Sequence, residues 1–274
     1  MIHPYLMSKV VFITGASSGI GKAIGEFLVE KKYQVYGTSR NPDRVKDSKF
    51  PLVKMDVNDL DSIQKAISEV INKTEKLDVL INNAGVGITG PIEETPETEI
   101  KNAFNTNLFG PINVIKEVLP QMRNQGYGHI LNITSIAGYM GLPYRGIYSA
   151  TKAALEITVE AMRMETLQFG IKMTNVAPGD FATNIAAGRY HSPVLENSPY
   201  KNAYSNTLKL MDEHVDVGED PMKMAKAIYK IINTPNPKIH YKVGAPLQKF
   251  SIVLKRILPD KMYENLLLKH YKLK

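Results

Sequence analysis

A tyrosine and a lysine four residues apart are the side chains of this sequence best suited to proton transfer. Tyr148 and Lys152 fall at i and i+4 of a helical pattern, so they share one helix face. An ammonium beside a phenol favours the ionised phenol and lowers its pKa towards the working range of a general acid or base. Ser135 stands thirteen residues before Tyr148, enough for a turn to return both side chains to one crevice. Because this spacing alone more often marks a solvated helix face, the surrounding elements must decide its meaning.

A glycine-rich turn near the start of the chain predicts a site for an anion. Gly15, Gly19 and Gly21 follow an apolar, β-branched run at 10–13 that is typical of a strand buried on both faces. Glycines at this spacing let the backbone turn sharply, approach an anion and pack a helix closely on the strand. The helix that begins near Ser18 then directs its free N–H groups and the positive end of its dipole at that anion.

Two other interpretations fit the same turn. The stretch also matches G-x-S-x-G, the nucleophile elbow of α/β-hydrolases, with Ser17 as the nucleophile. That elbow takes part of its oxyanion hole from an upstream strand and loop, and only sixteen residues precede Ser17. The third interpretation is a turn that only packs a helix against a strand.

The end of the second predicted strand, at 33–39, indicates which nucleotide an anion site here would take. An acidic residue at that point would bind the hydroxyls of an adenosine ribose. The sequence has Ser39 and Arg40 instead, a hydroxyl and a fixed guanidinium suited to a 2′-phosphate. These residues predict a preference for NADP(H) over NAD(H), and the alternative is that Arg40 is an ordinary surface arginine.

Strands and helices alternate along the chain, which predicts an α/β fold: a doubly wound, Rossmann-like parallel sheet with helices on both faces. In such a sheet the ligand crevice lies at the carboxyl ends of the strands. The predicted strands are 10–13, 33–39, 52–57, 77–81, 128–134 and 171–176. Because the sequence contains no internal repeat or linker, we expect one catalytic domain over 1–274, in which 184–218 forms a substrate lid.

Polar residues stand where a ligand crevice needs them. Asn82–Gly85 directly follows the fourth strand, and its small and amide residues permit close backbone approach to a ligand. Asp56 stands at the carboxyl end of the third strand. Asn107 falls inside a long predicted helix at 97–122, where an asparagine is unfavourable without a partner. It is therefore either a surface residue or a polar group placed for a purpose.

Composition excludes several classes of site and partner. The chain has no cysteine, which excludes disulfides, thiolate metal sites and cysteine nucleophiles. No apolar run approaches the ~18 residues of a membrane span, and 1–6 is too short and polar for a signal peptide, so we expect a cytoplasmic protein. The net charge is 34 − 27 = +7, but +5 of it lies in 247–274. The rest of the chain lacks the basic, aromatic-interleaved stripe of a nucleic-acid-binding protein.

Together these features resemble the short-chain dehydrogenase/reductase family in its single-domain form. The resemblance covers about residues 8–185, and within the family the chain is similar to 17β-hydroxysteroid and retinol dehydrogenases. The family's motifs stand in order along the chain: Thr14 to Gly21, Asn82 to Gly85, Asn107, Ser135, Tyr148 with Lys152, and Pro178–Gly179 leading to Thr183.

The resemblance implies a role for each of these residues. Tyr148 would exchange a proton with the substrate oxygen, while Lys152 would lower the tyrosine pKa and bind the nicotinamide ribose. Ser135 would hydrogen-bond the substrate oxygen, and Asn107 would hold a water that relays protons. The residues implied in cofactor binding are Gly15, Ser17, Ser18, Gly19, Ile20, Gly21, Ser39, Arg40, Asp56, Val57, Asn83, Ala84, Gly85, Tyr148, Lys152, Pro178, Gly179 and Thr183. No metal is implied.

The activity implied is that of an NADP(H)-dependent oxidoreductase. It would interconvert a carbonyl and an alcohol on an apolar substrate that is steroid-, retinoid- or lipid-like. An epimerase or dehydratase with the same tyrosine and lysine is one alternative, and a non-catalytic NADP-sensing or scaffold protein is another. Members of the family commonly pair through the helices that correspond to 100–122 and 149–168, so we expect a homo-oligomer, either a dimer or a tetramer.

The basic tail at 247–274 predicts two amphipathic helices separated at Pro259. Apolar residues fall at helical spacing, and lysines and arginines fill the positions between them. One interpretation packs the apolar stripes on the substrate pocket or on a subunit interface. The other makes the helix pair a peripheral contact with an anionic membrane, from which apolar substrates are drawn. The stripes are Leu247, Phe250, Val253, Leu254 and Ile257, then Met262, Tyr263, Leu266, Leu267 and Tyr271.

Overall fold

A computed structural model of the protein describes residues 8–182, 188–216 and 218–274. The strands in these ranges are β1 (Val10–Ile13), β2 (Gln34–Ser39), β3 (Leu52–Lys54), β4 (Val79–Asn82), β5 (Ile88–Thr89), β6 (Gly128–Ile133), β7 (Ile171–Pro178), β8 (Tyr190–His191) and β9 (His240–Val243). The helices are α1 (Gly19–Glu30), α2 (Leu60–Thr74), α3 (Glu97–Phe104), α4 (Gly110–Gln125), α5 (Gly146–Thr166), α6 (Lys201–Asp216), α7 (Pro221–Ile232), α8 (Pro246–Ile257) and α9 (Asp260–His270).

Seven of the strands form one parallel sheet in the order β3-β2-β1-β4-β6-β7-β9, and β5 pairs with β8 separately. The order reverses direction at β1, where the chain returns from the β3 edge to add β4 on the other side. A reversal of this kind leaves a crevice at the carboxyl ends of the strands. The predicted fold is therefore confirmed.

The central strands are apolar on both faces because helices cover both faces. In β1, Val10 and Phe12 pack with α2, α4 and α5 in one core cluster, whereas Val11 and Ile13 pack with α1 and α7 in another. Side chains of a strand alternate between faces, so this one short run contributes to both cores. That burial explains the continuous apolar pattern in the sequence.

The structure corrects the predicted elements in three places. β3 ends at Lys54, so Asp56 lies in the loop beyond it. The helix predicted at 97–122 is α3 followed by a π-helical turn, Asn105–Phe109, and then α4. The sheet also has a strand that the sequence analysis missed, β9. It is a short edge strand of half-buried residues beside β7, which gives little hydrophobic signal.

The two predicted tail helices are present as α8 and α9. Ile252 of α8 and Tyr263 of α9 pack with Ile136, Met140 and Ala177 in a third apolar cluster. The Tyr263 hydroxyl lies 2.6 Å from the Met140 sulfur. This cluster ties the tail to the segment that follows β6.

Most residues of the predicted apolar stripe of α8 are exposed and do not pack against the rest of the protein. Leu247 is 77% exposed and Ile257 72% exposed, and Phe250 and Val253 are also exposed. The residue of α8 that is buried is Ile252, which the stripe omitted. In the described ranges we find no helix with the length and apolar character that a membrane span requires.

Candidate active site

A cavity of about 430 Å³ lies at the carboxyl ends of the central strands. We call it the strand-end cavity. It brings together most of the residues predicted to bind a cofactor: Gly15, Ser17, Ser18, Gly19, Ile20, Ser39, Arg40, Asp56, Val57, Asn83, Ala84, Gly85, Tyr148, Lys152 and Pro178.

The glycine turn is held tightly against the end of β4. Gly15 has a φ of +65°, and a Cβ there would meet the Ala84 Cα at 2.9 Å, so only glycine fits. The backbone N–H groups of Asn83 and Ala84 both donate to the Thr14 hydroxyl at 3.0 Å. The Asn83 amide donates in return to the Thr14 and Gly15 carbonyls at 3.0 and 2.9 Å. These contacts give the turn one fixed shape.

The start of α1 faces the same cavity. Ser18 is its N-cap, and among the described residues no partner donates a capping hydrogen bond to the Ser18 side chain. The N–H groups of the first helical turn are thus available to an anion, whose charge the helix dipole favours. Gly21 does not line the cavity, and a Cβ there would meet the Asn83 amide and the Gly15 carbonyl, each at 2.5 Å. Its role is close packing of helix and strand.

The end of β2 supplies one charged side chain to the cavity wall. Arg40 is exposed, and the neighbouring Ser39 is buried, with its hydroxyl accepting from the Asn41 N–H at 3.2 Å. Thr38 lies one residue earlier, and its hydroxyl accepts from the Gly15 N–H at 3.1 Å. This wall thus contains the Arg40 guanidinium and the Thr38 hydroxyl, and the hydroxyl is hydrogen-bonded to the glycine turn.

Asn107 is a buried polar group held by three hydrogen bonds. Its side-chain carbonyl accepts from the Val86 N–H at 2.8 Å, and its amide donates to the Val86 carbonyl at 2.9 Å and the Thr151 hydroxyl at 3.2 Å. The π-helical turn places it there, and such turns often occur at functional sites. A Cβ on Gly85 would lie 3.1 Å from Asn107 Oδ1 and 3.4 Å from Lys152 Nζ, so both side chains converge on that glycine.

Tyr148 and Lys152 occupy the first two turns of α5, as the spacing predicts. Lys152 is buried, and its ammonium donates to the Ile133 carbonyl at 3.0 Å and lies 6.0 Å from the centre of the Tyr148 ring. Burial lowers the pKa of Lys152, and the nearby Tyr148 and Glu156 oppose that shift. The lysine is thus a buried cation beside a phenol.

Ser135 caps the short helical turn Ile136–Tyr139 that follows β6, and its hydroxyl accepts from the Ala137 N–H at 3.1 Å. Ser135 itself is buried. Of the predicted residues that the structure describes, Gly21, Asn107, Ser135 and Gly179 lie outside the lining of the strand-end cavity. Thr183 lies outside the described residues, as do 184–187 and 217 of the predicted lid.

A second cavity, of about 530 Å³, lies between the tail helices and the segment after β7. We call it the tail cavity. Its lining is mainly apolar and includes several charged side chains: Met140, Leu142, Arg145, Asp180, Arg189, Leu210, Met211, Gly218, Glu219, Ala245, Leu247, Gln248, Ser251, Leu254, Tyr263, Leu266, Leu267, His270 and Tyr271.

Arg145 stands between the two cavities. It lines the tail cavity, and its guanidinium lies 5.3 Å from the centre of the Tyr148 ring, which lines the strand-end cavity. Burial raises the pKa of Tyr271, the residue directly after α9, and the nearby Arg145 opposes that shift. One guanidinium therefore links the phenol of α5 with the tail.

Sequence analysis missed Thr38 and Arg145 as site residues, and it named Thr14 only as the first residue of the glycine motif. Thr14 and Thr38 each precede a predicted site residue at a strand end, and that position was a usable signal. Arg145 lies three residues before Tyr148, a spacing that also places side chains on one helix face. Six residues of the predicted apolar stripes in the tail line the tail cavity, so the helical pattern was a signal there: Leu247, Leu254, Tyr263, Leu266, Leu267 and Tyr271.

Comparison with known proteins agrees with this geometry. A family model described as short chain dehydrogenase matches residues 9–193. The chain belongs to the short-chain dehydrogenase family. It is an oxidoreductase of the nucleotide-binding, Rossmann-like type, and the predicted resemblance is confirmed.

Individual relatives extend the likeness over nearly the whole chain. The protein is 40% identical over 260 residues to a 3-ketodihydrosphingosine reductase of Bacteroides thetaiotaomicron, covering 94% of this chain and 96% of that one. It is 29% identical over 277 residues to an NADPH-dependent 3-dehydrocapnine reductase of Ornithobacterium rhinotracheale, covering 96% and 98%. A short-chain dehydrogenase from Streptomyces avermitilis has a crystal structure that matches with a TM-score of 0.81 at 33% identity, covering 97% of each chain. More distant chains of the same fold hold NAD in one case and NADP in another.

Proposed function

We propose that this dehydrogenase is NADP(H)-dependent and interconverts a carbonyl and an alcohol on an apolar, lipid-like substrate. The observation that carries the proposal is the position of Tyr148. Its ring lines the strand-end cavity and lies 5.3 Å from the guanidinium of Arg145, which lines the tail cavity. A phenol at this junction can reach a substrate held in one cavity and a dinucleotide held in the other.

The residues of the strand-end cavity fit a dinucleotide. The start of α1 and the close approach at Gly15 suit a pyrophosphate, which needs N–H donors and no intruding Cβ. Asp56 and Val57 would flank the adenine, Asn83 would hold the adenosine side, and Lys152 would bind the nicotinamide ribose. When bound, the nicotinamide supplies or accepts the hydride.

The chain's own residues would manage the proton. In reduction Tyr148 gives its hydroxyl proton to the substrate oxygen, and in oxidation it takes that proton back. The buried Lys152 ammonium stabilises the phenolate that results in reduction. Ser135 would donate to the substrate oxygen, and Asn107, held rigidly on Val86, would anchor a water that returns the proton.

The preference for NADP(H) rests on Arg40 with Ser39. Both line the strand-end cavity at the end of β2, where a 2′-phosphate would lie beside the adenosine ribose. A guanidinium makes charge-assisted bonds to such a phosphate. The relative described as an NADPH-dependent 3-dehydrocapnine reductase supports the same choice.

The lipid-like substrate rests on the tail cavity and on the relatives. The lining combines many apolar side chains with Arg145, whose guanidinium lies beside the Tyr148 ring, and this suits an amphiphile whose polar end carries the carbonyl. The relative from Bacteroides thetaiotaomicron is described as acting on 3-ketodihydrosphingosine, a keto lipid. In this proposal residues 1–274 form one catalytic domain, and 184–218 serve as the lid.

A screen of carbonyl compounds tests the proposal directly. Long-chain keto lipids, retinoids, steroids and short aliphatic ketones would be incubated with the protein and NADPH, and the loss of cofactor absorbance followed. We expect turnover of a long-chain carbonyl and little turnover of short ketones. No turnover of any carbonyl, with NADPH binding intact, would instead support the non-catalytic alternative.

We also propose a homo-oligomer that pairs through α4 and α5. The outer face of α5 exposes Ile157 by 67% and Met164 by 72%. Leu167, directly after α5, and Phe109, directly before α4, are exposed as well. Large exposed apolar side chains on one helix face are typical of a protein interface. Light scattering of the wild type and of a variant with Ile157 and Met164 both changed to Lys tests the proposal, because the variant should dissociate.

The third part of the proposal is a peripheral membrane contact by α8 and α9. Leu247, Phe250, Val253 and Ile257 lie on one exposed face of α8, and Met262 and Leu266 are exposed on α9. Seven lysines and arginines against two acidic residues surround them in 247–274. An apolar face bordered by cations suits an anionic bilayer. Leu247 and Leu266 also line the tail cavity, so its mouth would open towards the lipid.

A further inference from the structure

A buried carboxylate, Glu156, connects the two segments that carry the proposed catalytic groups. It lies on α5, one helical turn after Lys152 and two turns after Tyr148. The Thr134 hydroxyl donates to its Oε1, and the Tyr139 hydroxyl donates to its Oε2 at 2.8 Å. Thr134 immediately precedes Ser135, and Tyr139 ends the short turn that Ser135 caps.

The two carboxylate oxygens therefore hold both ends of the segment 134–139. The turn between these two contacts contains Ser135, and the helix on the other side contains Tyr148 and Lys152. Relative placement of these groups matters for catalysis, because a misplacement of about 1 Å can cost on the order of a hundredfold in rate. A single side chain that fixes both segments is suited to controlling that placement.

The carboxylate is itself held from outside the site. The ring of His240, from β9, lies with Nδ1 2.8 Å from Glu156 Oε2 and Nε2 3.0 Å from Glu160 Oε1. The two ring nitrogens thus face one carboxylate each. Further along the backbone, the Asn175 amide donates to the Glu156 carbonyl at 3.1 Å. Glu156 thus has partners on α5, β7, β9 and the turn after β6.

Its charge also reaches the buried lysine. Burial lowers the pKa of Lys152, and the nearby Glu156 shifts that pKa in the opposite direction. The charged and titratable groups around the pair are Tyr148 and Glu160 on α5, Tyr139 on the turn, His240 and Lys242 on β9, and Arg256 on α8.

We propose that Glu156 is a positioning residue that fixes the Ser135 turn against the helix bearing Tyr148 and Lys152. The inference rests on the proposed function, since it assigns those three side chains to the reaction. In this role Glu156 need not touch substrate or cofactor, because it acts through its hydrogen bonds with Thr134 and Tyr139.

The first test compares kcat in three variants. Glu156→Ala removes both contacts and should lower kcat by about tenfold or more, with KM for NADPH changed by less than about threefold. Glu156→Gln keeps a side chain of the same shape and should recover much of that kcat. Glu160→Gln is the matched control: it alters the outer partner of His240 and leaves the turn's contacts in place, so its kcat should stay near that of the wild type.

The pH profile separates positioning from simple loss of stability. Because Glu156 raises the pKa of Lys152, its neutral replacement in Glu156→Gln should move the alkaline limb of kcat to lower pH. Glu160→Gln should move it less. The proposal would be overturned if the alkaline limb of the kcat profile stayed at the same pH in Glu156→Gln. It would also be overturned if kcat fell equally in Glu156→Ala and Glu160→Gln.

Amide hydrogen exchange gives a readout that needs no substrate. Exchange in 134–140 should be faster in Glu156→Ala and in Tyr139→Phe than in the wild type, and unchanged in Tyr148→Phe. Unchanged exchange in folded Glu156→Ala would contradict the positioning role even if turnover is found. Absence of any wild-type turnover would contradict the proposed function while leaving the exchange result to stand on its own.

Discussion

The strand-end cavity and the tail cavity differ in how the chain builds them. The first is made of backbone and short side chains at the ends of parallel strands, and its shape depends on contacts such as Gly15 against Ala84. The second is made of larger side chains that several distant segments contribute, including both tail helices. The first is therefore fixed by local motifs, whereas the second depends on how the tail docks.

That difference suits the two cavities to different ligands. Rigid strand ends suit a cofactor that every reaction cycle shares, while a cavity walled by larger side chains from several segments can be reshaped for a particular substrate. Tyr148 lines the first cavity and Arg145 the second, and the contact between them marks the boundary. Variants on either side of that boundary should have separable effects.

The largest effect is expected at the boundary itself. Tyr148→Phe keeps the ring, with its contact to Arg145, and removes only the proton donor. Turnover should fall by at least ~100-fold while NADPH affinity is largely kept. Steady-state kinetics and fluorescence titration with NADPH would measure both. Tyr127→Phe, an exposed tyrosine outside both cavities, is the control. Near-normal turnover in Tyr148→Phe would contradict the assignment.

The next effect is confined to the strand-end cavity. Arg40→Ala removes the guanidinium, and charge-assisted bonds of ~1.5–3 kcal/mol correspond to a roughly ten- to hundredfold weaker Kd for NADPH. The Kd for NADH should change little. Arg44→Ala, a nearby exposed arginine outside the cavity, controls for the loss of surface charge. A wild type that binds NADH as tightly as NADPH would disprove the predicted preference.

The third effect concerns the surface around the mouth of the tail cavity. Basic residues near an anionic bilayer contribute about 1 kcal/mol each, so changing Lys269 and Lys272 to Ala should weaken vesicle binding by roughly thirtyfold. Sedimentation with anionic and neutral vesicles at two salt concentrations measures this. The matched control changes Lys65 and Lys116, on α2 and α4, to Ala. Binding that is absent in the wild type, with aggregation on truncation at Pro246, would assign the exposed face to protein packing instead.

The smallest effect should come from the wall of the tail cavity. Leu247→Ser and Leu266→Ser each remove a partly exposed apolar contact, about 1 kcal/mol, so KM for a long-chain substrate should rise roughly fivefold. KM for NADPH and for a short-chain carbonyl should not change. Val253→Ser is the control because it is exposed on the same helix but does not line the cavity. An equal rise in KM for the long-chain substrate in all three variants would indicate a general effect of changes in the tail.

Asn107 illustrates a limit of sequence reasoning near the strand-end cavity. Its residue type in a helix interior indicated something unusual but left two explanations open. The π-helical turn that buries it needs the surrounding helices to stabilise it, and its partners lie 21 residues away at Val86 and 44 away at Thr151. No local pattern encodes partners at such separations.

The tail illustrates a second limit. Helical periodicity placed α8 and α9 correctly, but it assigned the apolar stripe of α8 to residues that are mostly exposed, while Ile252 packs instead. Periodicity identifies an amphipathic helix without saying which neighbour covers it. For a helix with apolar residues on more than one side, the docking partner decides which side is buried.

By itself, the sequence determined the fold class, the family, the glycine turn and the Tyr148–Lys152 pair. These features depend on contacts within a strand, a turn or one helix, and local chemistry is visible in residue type and spacing. Only the tertiary structure decided that β9 completes the sheet, that Arg145 joins the two cavities and that Glu156 connects the Ser135 turn to α5. Those contacts join segments far apart in the chain, and their side chains are of ordinary types, so they become specific only when packing brings them together.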